Sequence, residues 1–428
     1  MLDKCKISDK MYLGKEIYAN YPKKHNMSII RDLTIKIKRY LVKDQILLIV
    51  GPRQSGKTTV LHQIESFLKK KNEICYFLNL EDPDYLSLLN ESPKNLFKIF
   101  PIDFKKRTFL FIDEIQYLNN PSNFLKYFFD EYKDKIKIIA SGSSAFYLDK
   151  KFKDSLVGRK IIFNLFPLSF REFLRFKNQN KLSEVDFQNL TLSEKEKIIF
   201  FYQEYLIYGG YPRVVLASLE EKKEILRDIA YSYIKKDIYE SNIRQDEIFY
   251  KLFKILADQI GNLINSSELA NTLNVSRSSI DNYLYIMQKS FHIVLVRPFY
   301  KNIRKELTKM PKIYFMDLGL RNFFKNDFRV YRNREDKGQL LENVVLRQLL
   351  EKYPEEQINF WRTTQQKEID FVVNKQIALE VKFQIKSTKI KRYKIFLENY
   401  PEIKLSFVCF DCPKNKIDSF SVLDPWQI

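Results

Sequence analysis

Residues 46–59 read Ile-Leu-Leu-Ile-Val-Gly-Pro-Arg-Gln-Ser-Gly-Lys-Thr-Thr, and no other stretch restricts the folding of this chain as tightly. Ile46 to Val50 show no polar face, so they predict a strand covered on both sides, as in the middle of a parallel sheet. Gly51, Gly56, Lys57 and Thr58 then fill the pattern GxxxxGK(S/T). Glycines lack Cβ, so the loop can curl until successive N–H groups converge on an anion, and the positive end of the next helix adds to the field. That helix is predicted by the apolar spacing of Val60, Leu61, Ile64, Phe67 and Leu68. The predicted cradle for ATP is Gly51, Pro52, Arg53, Gln54, Ser55, Gly56, Lys57, Thr58 and Thr59. Lys57 would reach the β- and γ-phosphates and the Thr58 hydroxyl would ligate Mg²⁺.

Ile74 to Leu80 predicts a second strand, and Phe109-Leu110-Phe111-Ile112-Asp113-Glu114 a third that delivers two carboxylates to a sheet edge. This is a Walker B arrangement, in which Asp113 holds Mg²⁺ and Glu114 polarises the water that attacks the γ-phosphate. A further strand, Ile136 to Ala140, ends in Ser141-Gly142-Ser143-Ser144, and either Ser141 or Ser143 is placed to sense the γ-phosphate. Arg159 is a candidate charge stabiliser, in its own subunit or a neighbour's, with a structural ion pair as the competing reading.

Residues 167–250 show helical periodicity broken at Gly209-Gly210-Tyr211-Pro212, as a helical lid with a joint would. The loop and Walker B segments, with Ser-Gly-Ser-Ser-Ala, Gly158-Arg159, Phe-Pro-Leu-Ser-Phe-Arg-Glu-Phe (166–173) and Gly-Gly-Tyr-Pro, resemble the prokaryotic AAA-superfamily ATPases of the archaeal STAND-like group. The resemblance covers about residues 1–240. It implies an ATPase core with a helical lid and marks Arg159 as a motif position.

From Leu252 the pattern becomes helix, tight turn, helix, with Ser276 placed to cap the second helix and Ile280, Leu284 and Met287 as its buried face. This looks like a winged helix-turn-helix that presents Arg277, Ser278, Ser279, Asn282 and Tyr283 to a major groove. The strand Ile293 to Val296 leads into a basic wing of Arg297, Lys301, Arg304, Lys305, Lys309 and Lys312, with a protein-binding wing as the alternative.

The last region predicts a second chemistry. Glu342 lies near the start of an amphipathic helix, Glu368-Ile369-Asp370 opens a strand, and Glu380 and Lys382 share one face of the next, brought beside Asp370 by a turn at Asn374 and Lys375. Such a set suits metal-assisted phosphodiester hydrolysis: Asp370 and Glu380 would ligate Mg²⁺ or Mn²⁺, Glu342 would complete the shell and Lys382 would activate water. The spacing matches the PD-(D/E)xK nuclease superfamily, with Ile369 where that superfamily usually has Pro. The region also resembles the domain of unknown function commonly fused to these ATPases. A basic run, Lys386, Lys389, Lys391, Arg392 and Lys394, follows as a backbone track.

The expected architecture is therefore α/β: a P-loop NTPase core of AAA type with a parallel sheet (1–165), a helical lid (166–250), a winged helix-turn-helix (251–335) and a small α/β PD-(D/E)xK-like domain (336–428). With 73 Lys and Arg against 53 Asp and Glu, the net charge of +20 makes DNA the expected partner, although a general lysine-rich composition would also raise it. Oligomerisation of like chains would bring Arg159 to a neighbour. No apolar run reaches the ~18 residues of a membrane span, the start lacks a secretory core, and four cysteines fit a reducing compartment, so a soluble cytoplasmic protein is expected. Cys409 and Cys412 form a CxxC without partners for zinc and are read as structural. Two functions remain: an ATP-gated DNA nuclease, and an ATP-driven regulatory switch whose last domain binds DNA or a protein without cutting.

Overall fold

The computed structural model describes residues 29–142, 156–240, 246–300, 309–385, 392–412, 416–417 and 420–428. Ser143, Lys301, Arg304, Lys305, Lys386, Lys389 and Lys391 lie outside the described residues.

Helix α1 (Asp32–Lys38) leads into β1 (Ile46–Val50), and α2 (Lys57–Lys69) follows the glycine loop. Strands β2 (Ile74–Asn79), β3 (Thr108–Asp113), β4 (Ile136–Gly142) and β5 (Lys160–Asn164) complete a parallel sheet in the order β2-β3-β4-β1-β5. Every residue of β1 is buried, as its unbroken apolar run requires. Ile46, Leu48 and Val50 enter one core and Leu47 and Ile49 the other, so helices cover both faces. Strand β4 separates the loop strand from the Asp113 strand. Ser141 is paired with Ile49, beside the end of β1.

Residues 166–290 contain no strand among those described. Helices α3 (Phe170–Phe176) and α4 (Leu192–Tyr208) each start with a capping box, Ser169 with Glu172 and Thr191 with Glu194. At the Gly209-Gly210 break the chain runs hard against its neighbours. A Cβ on Gly209 would stand 2.3 Å from Asp317 Oδ1, and one on Gly210 would stand 2.6 Å from the Leu168 carbonyl oxygen.

Helices α5 (Ser266–Leu273) and α6 (Arg277–Lys289) meet at a tight turn, and Ser276 accepts from the Ser279 N–H at 3.1 Å. Ile280, Leu284 and Met287 are buried as expected, but so is Tyr283, which packs edge-on against Phe249; the exposed tyrosine of α6 is Tyr285. Tyr283 follows the apolar stripe of the helix and cannot face a groove.

Strands β6 (Ile293–Pro298) and β7 (Lys312–Phe315) form an antiparallel hairpin, followed by α7 (Leu318–Lys325) and α8 (Lys337–Lys352). Strands β8 (Ile358–Arg362), β9 (Glu368–Val373), β10 (Ile377–Lys382), β11 (Lys404–Cys409), β12 (Lys416–Ile417) and β13 (Phe420–Leu423) do not make a separate sheet. One eight-stranded sheet runs β12-β13-β11-β10-β9-β8-β6-β7, because Arg297 and Pro298 of the hairpin pair in parallel with Asn359 and Phe360. The boundary expected at residue 335 therefore crosses a continuous sheet. Cys409 and Cys412 are joined as a disulfide at the end of β11, with Cα atoms 5.9 Å apart. No helix among the described residues is long and apolar enough to cross a membrane.

Candidate functional site

The glycine loop has the shape its residues demand. Gly51 runs so close to the next strand that a Cβ there would lie 2.1 Å from the Leu165 carbonyl oxygen, and Gly56 adopts φ +97°, open to glycine at little cost. Ser55 closes the loop by donating to the Pro52 carbonyl at 2.8 Å. Gly56 offers α2 no capping side chain, which leaves the first N–H groups of the helix facing the loop and suited to an anion. The buried Lys57 ammonium donates to the carbonyls of Gly51 and Pro52 at 3.2 and 3.1 Å, neutral partners that phosphate oxygens can replace.

Asp113, at the end of β3, faces this loop. Its Oδ2 accepts from the Thr58 hydroxyl at 2.6 Å, and its Oδ1 accepts from the Ser141 hydroxyl. Ser141 Oγ in turn accepts from the Glu114 backbone N–H at 3.1 Å. Ser141 thus ties the end of β4 to both acids at the end of β3, through the Asp113 carboxylate and the Glu114 backbone. Glu114 turns out of the strand in a left-handed conformation, φ 56°, with its carboxylate held by the Gln116 amide. Thr58 and Asp113 present oxygens at a shared point beside the phosphate cradle, which fits Mg²⁺, and the loop fits a triphosphate. Ser141 is accordingly the described serine joined to the site.

Arg159 is elsewhere. It immediately precedes β5, and its carbonyl accepts from the Ile46 N–H, at the end of the sheet opposite the loop. A five-residue strand, about 16 Å, separates it from the phosphate cradle of its own chain. The Arg159 side chain is a third exposed and bonds Asp130 at 2.7 Å. Of the readings left open by the sequence, this placement disfavours action on its own γ-phosphate, and the Asp130 contact is the ion pair of the competing one.

A residue not singled out in the sequence sits behind the loop. The buried Arg31 guanidinium donates to the Ser55 carbonyl in the loop, to the Phe166 carbonyl at 2.9 Å, and to both oxygens of Glu172 at 2.8 and 3.1 Å. Glu172 also accepts from the Asp32 and Ser169 N–H groups at 2.9 and 3.0 Å. Burial alone would raise the Glu172 pKa, but Arg31 and these donors hold it below the usual carboxylate value. From Phe166 the contact continues: Arg347 of α8 stacks on its ring at 4.8 Å and donates to the Pro167 carbonyl at 2.7 Å. Arg31 and Glu172 are 141 positions apart, so no local pattern could pair them. The one sequence signal was an arginine immediately before an acid-started amphipathic helix.

The C-terminal residues converge, with an unexpected member. Lys382 bonds Glu380 at 2.7 Å and lies 3.7 Å from Asp370, whose Oδ2 also accepts from the Val381 N–H at 2.8 Å. Asn374 and Lys375 supply the turn with φ 48° and 56°. Glu342 joins from α8, but its partner is Lys312 of the hairpin at 2.9 Å, which also bonds Glu368 at 2.5 Å and approaches Asp370 at 3.8 Å. Lys312, expected on an exposed basic wing, is 1% exposed at the side chain. Its ammonium occupies the point where Glu342 and Asp370 would have met a metal ion. Among the described residues, no three His, Cys, Asp or Glu side chains are placed to hold one together. The set of Asp370, Glu380 and Glu342 therefore does not fit Mg²⁺ or Mn²⁺ as arranged. Burial, then the neighbouring Asp370, pushes the Glu380 carboxyl up to about 7, and burial does the same for Glu342 against the pull of Lys312. Lys312 itself is raised: desolvation would lower its pKa, but Glu342, Asp370 and Glu368 outweigh it.

Residues 43–174 match a family model described as an AAA domain, and residues 200–330 and 337–421 match two domains of unknown function (DUF8612 and DUF4143). An uncharacterized protein of Methanocaldococcus jannaschii is 29% identical over 95% of this chain and 89% of its own. Among solved structures, the Aeropyrum pernix ORC2 protein in its ADP form aligns at TM-score 0.33 and 12% identity, over 64% of this chain and 90% of its own. C. elegans PCH-2 aligns at TM-score 0.31 and 17% identity, over 47% of this chain, which spans 58% of the PCH-2 chain. The loop-bearing region is an AAA-type, ATPase-like domain by its family match and its site.

Proposed function

We propose that this chain is an ATP-binding and ATP-hydrolysing switch of AAA type, and that it acts on DNA through its helix-turn-helix and C-terminal regions. The observation that carries the ATP reading is the closed set Thr58, Asp113, Ser141 and Glu114 across from the Lys57 loop. Lys57 binds the β- and γ-phosphates. Thr58 and Asp113 would hold Mg²⁺, which would supply positive charge against the phosphates. Glu114 orients water for attack, and Ser141 fixes the angle between the two acids. Arg159 serves the γ-phosphate of a neighbouring subunit, since its own cradle lies at the far end of the sheet.

The DNA reading rests on the excess of basic residues and on the exposure of Arg277 and Asn282 of α6 and of Arg297 and Lys309. The C-terminal domain is read as a binding module rather than a nuclease, because Lys312 stands where a catalytic metal would be needed. The contacts from the loop through Arg31, Phe166 and Arg347 to α8 support transmission of nucleotide state to that module. Full-length protein with Mg²⁺ should hydrolyse ATP, bind duplex DNA with an affinity that falls steeply with salt, and leave plasmid uncut. Mixing Lys57→Ala with Arg159→Ala chains should restore part of the turnover each has lost. Plasmid cleavage abolished by Glu380→Ala would replace the switch by an ATP-gated nuclease, and failure of the mixture to recover would remove the neighbour role of Arg159.

A further inference from the structure

Strand β7 donates one cationic side chain to a cluster otherwise assembled from the C-terminal domain. Among the described residues, four carboxylates, Glu342, Glu368, Asp370 and Glu380, face three cations, Lys312, Lys382 and Arg362, the last 3.1 Å from Glu368. The Tyr314 hydroxyl, two residues along β7 and on the same face, donates to Glu342, and the Tyr393 hydroxyl donates to Glu380 at 3.0 Å. Only Glu380 Oε2 is left buried without a hydrogen-bond partner among the carboxylate oxygens of this group. Mg²⁺ needs several oxygens converging at about 2.0–2.1 Å. The oxygens here are instead spaced for an ammonium that donates to two carboxylates and lies beside a third.

The lysine is also fixed in place. The β7 backbone is bonded to β6 on one side and to residues 261–264 on the other, with Gly261 donating to Ile313 at 2.8 Å, Ile313 to Asn262 at 3.1 Å and Ile264 to Pro311 at 3.0 Å. A one-residue slip would turn Lys312 and Tyr314 to the opposite face, so register and charge placement are one property.

We infer that Lys312 is the resident cation of this cluster: it holds closed a site that would otherwise take a divalent metal, and it lets the C-terminal domain fold and act without one. The inference concerns this cluster alone and does not depend on ATP binding. Removing the ammonium leaves four carboxylates against two cations, a surplus that a divalent ion satisfies.

The test is Mn²⁺ binding to the full-length chain without nucleotide, followed by the loss of the free Mn²⁺ resonance. Wild type and Asp370→Asn should bind equally little. Lys312→Gln should gain one Mn²⁺ per chain, at least about tenfold tighter than wild type, and lose it again in Lys312→Gln/Asp370→Asn. Circular dichroism and ATP turnover report whether the Lys312 variants are folded. Mn²⁺ bound by wild type and lost in Asp370→Asn would overturn the inference, as would a folded Lys312→Gln that gains nothing. Should Lys312→Gln fail to fold, wild type decides: a melting temperature unmoved by Mn²⁺ or EDTA supports a resident cation, and one raised by Mn²⁺ but not in Asp370→Asn contradicts it.

Discussion

At the P-loop, Lys57 rests on neutral carbonyls of its own loop, while at the C-terminal cluster Lys312 sits among Glu342, Glu368 and Asp370. Both sites place acids at strand ends or strand centres beside a buried lysine. The two carbonyls at Lys57 are neutral, so giving them up for phosphate oxygens strands no charge on them. Carboxylate partners cannot be given up in this way, because a departing ammonium leaves desolvated negative charge. The second site is therefore already satisfied, although the residue types of the two look equally catalytic in the sequence.

The largest effect that would break this comparison is at Lys57. Lys57→Ala should lower ATP turnover by about 10³-fold or more, equivalent to about 4 kcal/mol of barrier, in steady-state phosphate release, with an unchanged circular dichroism spectrum. Glu114→Gln should cost about 10²–10³-fold in the same assay while a fluorescent ATP analogue still binds, which separates water activation from nucleotide capture.

Next is the guanidinium behind the loop. Arg31→Ala strands the buried Glu172 carboxylate, so urea unfolding should show a loss of about 3–5 kcal/mol, and Arg31→Lys should recover only part of it because a single ammonium cannot reach the same carbonyls and both oxygens. A smaller, pH-dependent effect is expected at Asp317, which accepts from the Gly210 N–H at 2.7 Å. Burial raises its pKa from 3.8 to about 6. The folded chain thus holds this proton more tightly than the unfolded chain does, and its contribution to stability falls as pH rises through 6. Asp317→Asn should remove that dependence, so the variant should gain about 1–3 kcal/mol relative to wild type between pH 4 and 7.5 in denaturant titrations.

Much of the first site was legible because its determinants are local. An unbroken apolar run, a glycine loop and a helix are contiguous, and Asp113 and Glu114 end a strand of their own. In the second site the turn at Asn374 and Lys375 and the alternation of Glu380 with Lys382 were equally readable, and they correctly brought Asp370 alongside. What periodicity could not show was a partner from another segment. Lys312 read as one more basic residue of a wing; its signal was its place at the head of Ile-Tyr-Phe, where a solvated lysine is out of pattern. Tyr283 was misplaced for the opposite reason: it was counted with polar neighbours although it continues the apolar spacing of Ile280 and Met287. The bonds of Ser141 to Asp113 and to the Glu114 N–H needed the neighbouring order of β3 and β4, which sequence alone does not give, and Ser143 lies outside the described residues.

The proposed ATP turnover depends on one Mg²⁺ shared between Thr58 and Asp113 beside the triphosphate. It is tested most directly by the affinity of a non-hydrolysable ATP analogue measured with and without Mg²⁺, in wild type and in Asp113→Asn. Mg²⁺ should tighten binding to wild type by about tenfold or more, or about 1.4 kcal/mol, and should do little for Asp113→Asn. Equal Mg²⁺ dependence in the two proteins would contradict it.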